Sequence, residues 1–162
     1  MAIVSEFVHV HAGSVQAEAQ IASFIDKFAD PMPVMIRDCR ARLEKRFPQA
    51  VELIYDNYNF FVIGFGPTTR SSDSTFSLAC FKNGVNLCFL QRAPELPDPT
   101  GILRGSGRVV RNVALGAPED LERGDIVALI DAELALARVP MHASAGRQVI
   151  VKSVSAKQRP RR

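Results

Sequence analysis

Apolar residues recur along this chain with two different periods, and the change falls near Pro48. In SVQAEAQIASFIDKFAD, from Ser14 onward, Ile21, Phe24, Ile25 and Phe28 are spaced by three or four residues. That interval predicts one buried face of an α-helix, with Ser14 placed to cap it. Asp30-Pro31 then offers a second cap and a proline suited to a first helical turn, and Met35, Cys39, Leu43 and Phe47 form the next stripe. Past Pro48 the chain turns to β-branched and aromatic runs of strand length: VELIY, NYNFFVIGFG, the segments Phe76–Phe81 and Val85–Leu90, and RVVRNVAL. Gly66-Pro67, Ser71 to Asp73, Asn83-Gly84 and the stretch from Pro94 to Gly101 separate them as turns. EDLERGDIVALIDAELALARV returns to a helical period through Ile126, Leu129, Ile130, Leu134 and Ala137, and Pro140 stops it. RQVIVKSVS is compatible with one further strand.

These elements predict an α+β domain. A mostly antiparallel sheet of about five strands would carry two N-terminal helices and one C-terminal helix on a single face. The organisation expected is an N-terminal segment over 1–13, one domain over 14–142 and a basic C-terminal tail over 143–162.

The hairpin TFSLACFKNGVNLCFLQ makes the sharpest local prediction. With Asn83-Gly84 as a two-residue type I′ turn, Cys80 pairs with Leu87, Leu78 with Phe89 and Phe76 with Gln91. One face then collects Phe76, Leu78, Cys80, Val85, Leu87 and Phe89, while Cys88 points the other way. Cys80 and Cys88 cannot be joined in that register, so the cysteines read as packing residues rather than a disulfide framework.

Composition narrows the class. A chain of 162 residues with 47% hydrophobic content folds as one globular domain. No apolar run reaches the roughly 18 residues of a membrane span, and the first residues lack a signal-peptide pattern, so the expectation is a cytoplasmic protein without membrane partners. The net charge of +3 is unevenly spread. Arg147, Lys152, Lys157, Arg159, Arg161 and Arg162 follow Ala143 with no acid among them, which leaves residues 1–142 mildly acidic. Such a tail attracts polyanions, so a protein or nucleic-acid interaction module using the sheet face and the basic tail is an alternative function, with nonspecific nucleic-acid contact through 143–162; the tail has no interleaved aromatics to stack on bases.

SFIDKF, FKNGVNLCFL and above all LPDPTGILRGSGRVVRNVAL resemble the YdhG-like domain of unknown function 1801 family over about Ile21 to Ala137. Pro97, Asp98, Pro99, Gly101, Gly105, Gly107, Arg108 and Arg111 fall on that family's pattern, whereas Asn112 stands where histidine is common. The resemblance implies a frataxin-like α+β fold and, since some members are described as iron chaperones, an iron-handling alternative. The carboxylates available for that on the first helix are only Glu18 and Asp26, with Asp30 at its boundary.

Two stretches carry candidate chemistry. In RGSGRVVR the glycines can expose successive backbone N–H groups to an anion, with Arg104, Ser106, Gly107, Arg108 and Arg111 around it; equally, they make a tight turn into a strand. Strand alternation puts Arg111 in an apolar row with Val109, Val113 and Leu115, where a guanidinium must reach a strand edge, pair with a carboxylate or meet a ligand. In LIYDNYNFF, Tyr55, Asn57 and Tyr58 either orient a small polar ligand or form a bend. The leading expectation is a binding module for a small anionic or polar ligand held between these two stretches. His9 and His11 lack a third ligand, so no metal site or cofactor is expected. No catalytic residue is expected either, for want of a nucleophile with an activating partner.

Overall fold

The computed structural model describes residues 15–162, so Ser14, His9 and His11 lie outside the described residues. Helix α1 covers residues 15–25, and α2 covers Met32–Arg46. Strands β1 (Val51–Asp56), β2 (Phe61–Gly66), β3 (Phe76–Phe81), β4 (Gly84–Phe89) and β5 (Arg111–Leu115) follow. Helix α3 (Gly124–Leu136) and strand β6 (Gln148–Val154) complete the fold.

The strands form one six-stranded sheet in the order β5-β4-β3-β2-β1-β6. Every neighbouring pair is antiparallel except β1 with β6, which is parallel. A parallel pair needs a long crossover, and α3 supplies it by carrying the chain from the β5 edge back to the β1 edge. Ile54, Phe61, Ile63, Phe65, Phe76, Leu78, Cys80, Val85, Leu87, Phe89, Val113 and Leu115 share one core with the helices' inward faces. The fold is therefore α+β with its helices on one face of a mostly antiparallel sheet, as the periodicity implies. The sheet has one strand more than expected, because residues 148–154 of the basic tail pair with β1.

On the opposite face the chain packs too closely for side chains at one point. A Cβ on Gly66 would lie 2.7 Å from the Cα of Ser74, while Thr75 N–H donates to the carbonyl of Phe65 at 2.8 Å.

Four details differ from the expected elements. The β3–β4 hairpin slips by one pair: Phe81 faces Gly84, Cys80 faces Val85 and Phe76 faces Phe89. Neither Asn83 nor Gly84 has positive φ, so the turn is not type I′. A slip of two positions preserves side-chain parity, so the six expected inward residues are all buried. Asp30 does not cap α2, whose N-cap position belongs to Pro31, and Ile36 rather than Met35 is buried on its stripe. The third helix breaks in two, because the Asp120 carboxylate accepts from Gly116 and Ala117 N–H and closes a separate turn over Pro118–Glu122. The buried stripe of α3 is Ile126, Leu129, Ile130 and Glu133, not the apolar alternative through Leu134 and Ala137.

Candidate functional site

RGSGRVVR forms a loop whose polarity is opposite to that of an anion nest. Arg111 Nη1 donates to the carbonyls of Gly107, at 2.5 Å, and Val110, at 2.9 Å, so the loop presents oxygens to its own guanidinium. Arg111 does face the core side of the sheet opposite Phe89, but its expected neighbour Val109 is 51% exposed, and the strand begins only at Arg111. Its partners are carbonyls rather than a carboxylate or a ligand. Gly105 has φ 116°, where a side chain is strained, and Gly107 has no positive φ. Arg104 exchanges backbone hydrogen bonds with Asn112 at 2.7 and 2.9 Å, which seats the loop against β5. Ser106 and Arg108 are exposed. Upstream, the Asp98 carboxylate accepts from Ile102 and Leu103 N–H, each at 3.0 Å, so the aspartate of DPTG works as a turn lock.

Tyr55, Asn57 and Tyr58 lie elsewhere. Between β1 and β5 stand three strands, a separation of roughly 19 Å at about 4.8 Å per strand. The bend also follows Asp56, at the end of β1 away from the row shared by Glu52, Phe65, Phe76, Phe89 and Arg111. The two stretches therefore share no pocket. The Tyr55 hydroxyl is bonded to Ser71, and Asn57 closes the bend through its N–H to Phe60 and takes a 2.6 Å bond from Arg161 on its carbonyl. Tyr58 is about half exposed.

A concave site that the sequence does not announce lies where α2 ends. The Phe47 N–H still bonds to Leu43 at 2.8 Å, Pro48 stops the helix, and the next turn closes from Ala50 to Phe47. Leu134 of α3 and the turn Met141–Ala143 form the opposite wall, tied down by the Ser144 hydroxyl on the Gln49 carbonyl. The cavity measures about 370 Å³ and has mainly apolar walls: Phe47, Pro48, Ala50, Leu134, Pro140 and Met141. Phe47 is held by stacking on Phe76, with centroids 5.4 Å apart. Arg46 and His142 supply the polar margin, and Arg46 is steadied by Asp131 and by the Phe47 ring. A hydrocarbon body fits such walls, and an acceptor or anion fits such a margin.

Buried charges hold the scaffold around this cavity. Arg40 of α2 grips Glu18 of α1 through two bonds, at 2.7 and 2.8 Å, and turns its Nε to Glu52 of β1 at 2.8 Å. Arg147 reaches the other Glu52 oxygen at 3.1 Å and also pairs with Glu44. Burial pushes the Glu52 carboxyl up to about 7 against the pull of Arg40, whereas the Arg40 hydrogen bonds hold Glu18 below the usual carboxylate range. At the other end of β1, Asp56 is fully buried between Lys27 and Arg161. Arginines of the C-terminal segment thus lock both ends of β1.

Glu133 has no such company. One oxygen accepts from Gln91 N–H at 2.5 Å, the other has no hydrogen-bond partner, and burial pushes the carboxyl up to about 7. The three cysteines are free, and burial raises each thiol, Cys39 to about 12, which fits packing rather than nucleophilic roles. Among the described residues, no cluster of three His, Cys, Asp or Glu side chains is arranged to hold a metal, and no helix is long and apolar enough to cross a membrane. Glu18 and Asp26, the carboxylates the iron reading needed, are paired with Arg40 and Arg37.

No family model matches the chain, and no curated protein or solved structure matches it.

Proposed function

We propose that this α+β domain is a binding module for a small ligand with an apolar body and an anionic or hydrogen-bond-accepting group. The reading keeps the ligand class expected from the sequence but moves it to the cavity at the foot of α2. One observation carries it: a cavity of about 370 Å³, within the range of ligand sites, with apolar walls and only a guanidinium, an imidazole and an amide at its margin. On the DPTGILRGSG segment we also group the chain with the YdhG-like family; the structural work done by Asp98 and Gly105 gives a physical reason for that pattern to recur.

Thermal unfolding with benzoate, octanoate and a phosphorylated sugar tests the reading. Ligand at 100 times its dissociation constant stabilises by about 2.7 kcal/mol, a rise of several degrees for a domain of this size. Leu134→Trp, which fills the cavity, should abolish the rise. A silent panel, or a rise that survives Leu134→Trp in a folded protein, sinks the proposal.

A further inference from the structure

Read as sequence, the basic tail lacks aromatic residues; folded, it is laid against them. Arg159 N–H donates to the Tyr58 carbonyl at 2.8 Å, and its guanidinium lies 5.7 Å from the centre of the Tyr58 ring. Two residues on, Phe60 packs on Phe81 with centroids 5.0 Å apart, and Lys82 follows Phe81 directly. Lys82, Asn83, Arg161 and Arg162 line a hollow of about 200 Å³, with Asp30 on its rim. Tyr58 is 48% and Phe81 37% exposed, so both offer part of a ring to solvent.

At this end of the domain, cations without carboxylate partners adjoin partly exposed aromatic residues. Arg37, Arg40, Arg42, Arg46, Arg92, Arg123, Arg138 and Arg147 all have carboxylate partners. Like Lys45, Arg70, Arg104, Arg108, Arg111 and Lys152 elsewhere, Lys82, Lys157, Arg159 and Arg162 form no salt bridge among the described residues, but here Tyr58 and Phe81 lie beside them. Asp56 is paired with Lys27 and Arg161 and Asp26 with Arg37, and Asp30 is the one carboxylate that lines the hollow with Lys82, Arg161 and Arg162.

We propose that this end of the domain is a binding surface for single-stranded nucleic acid. Tyr58 and Phe81 stack on bases, and Lys82, Arg159 and Arg162 hold the phosphates that follow. Exposed ring faces beside unpaired cations match an open strand, whose bases are free to stack, better than a duplex, whose bases are already stacked. Arg161 is a positioning residue: buried on Asp56 and Asn57, it fixes the tail to the β1–β2 connection.

Fluorescence anisotropy with labelled twelve-residue oligothymidylate and oligouridylate, against a DNA duplex of equal length, tests this on the full chain. Either single strand should bind more tightly than the duplex. Its affinity should fall with salt at a logarithmic slope of about −0.7 per phosphate held, or about −2 for three. Tyr58→Ala should cost about tenfold at constant slope, whereas Lys82→Ala should make the slope shallower by about 0.7. Tyr58→Leu, which keeps the packing but removes the π-face, separates stacking from folding and should lose as much. The proposal is overturned by absence of binding at low salt, by duplex binding as tight as single-strand binding, or by Tyr58 variants that bind like the unmodified protein.

Discussion

Glu52 and Glu133 are both sealed from water, with 1% and 0% of their surfaces exposed, and burial raises both carboxyls to about 7. Their surroundings differ completely. Glu52 receives two guanidiniums, from Arg40 and Arg147, whereas Glu133 receives backbone N–H alone and keeps an unpartnered oxygen. Near neutral pH a buried acid is tolerated either by importing opposite charge or by keeping its proton. The first route ties distant segments together, because Arg40 and Arg147 come from a helix and from the approach to β6. The second ties one helix to one strand end and supplies no cation to offset the loss of the proton as pH rises.

The largest effect expected is from Arg40→Leu. It strips Glu52 and Glu18 of the partner they share and leaves Glu52 with Arg147 alone; breaking a buried pair costs about 3–5 kcal/mol, and the remaining Arg147 places the loss toward the lower end of that range. Urea unfolding at pH 7 reads this directly; a loss below about 1 kcal/mol would show that Glu52 does not depend on imported charge.

Next comes Glu133→Gln, which removes the ionisation and keeps an acceptor for Gln91 N–H. A folded-state carboxyl raised from 4.5 to about 7 binds protons more tightly than the unfolded one. The unmodified protein therefore loses stability as pH climbs from about 4.5 through about 7. The variant should be the more stable at pH 8, by up to about 3 kcal/mol at roughly 1.4 kcal/mol per pH unit, with the advantage gone below pH 4.5. Equal pH profiles for the two proteins would refute the lone-acid account.

Glu52→Gln should have the smallest effect of the three, because at pH 8 the gain from removing a carboxyl raised to about 7 is offset by the loss of its charged bonds to Arg40 and Arg147. It trades charge-assisted hydrogen bonds for neutral ones, a loss of about 1 kcal/mol. Stabilisation as large as that from Glu133→Gln would erase the contrast between the two sites.

How much of this the amino-acid pattern reveals depends on how far apart the deciding partners are. The hairpin face is legible because parity survives a slip in register, so Phe76, Leu78, Cys80, Val85, Leu87 and Phe89 point inward under either pairing. Helices α2 and α3 are legible by period, but their buried Arg40 and Glu133 are not, because a stripe drawn through apolar residues alone excludes both. Arg40 is buried only because Glu18 and Glu52, from two other elements, meet it. Arg111 is placed correctly on the inward face, yet its partners are the carbonyls of the loop it belongs to, a feature of loop path rather than of residue type. The cavity at the foot of α2 joins residues near 47, 134 and 141, and no local motif marks such a meeting. The tail is read as basic and separate because its anchors, Glu52, Asp56 and Asn57, lie 95 to 105 residues earlier.

That last distance has a cost in time. At about 5–20 residues per second of synthesis, β1 leaves the ribosome roughly 5 to 20 seconds before β6 exists to pair with it. During that interval one flank of β1 offers unpaired N–H and C=O groups to any neighbouring strand. Glu52 and Asp56 meanwhile wait for Arg147 and Arg161. A nascent chain halted before residue 147 therefore carries an open strand edge and two carboxylates short of a partner, a combination on which chaperones and proteases can act before the sheet is whole.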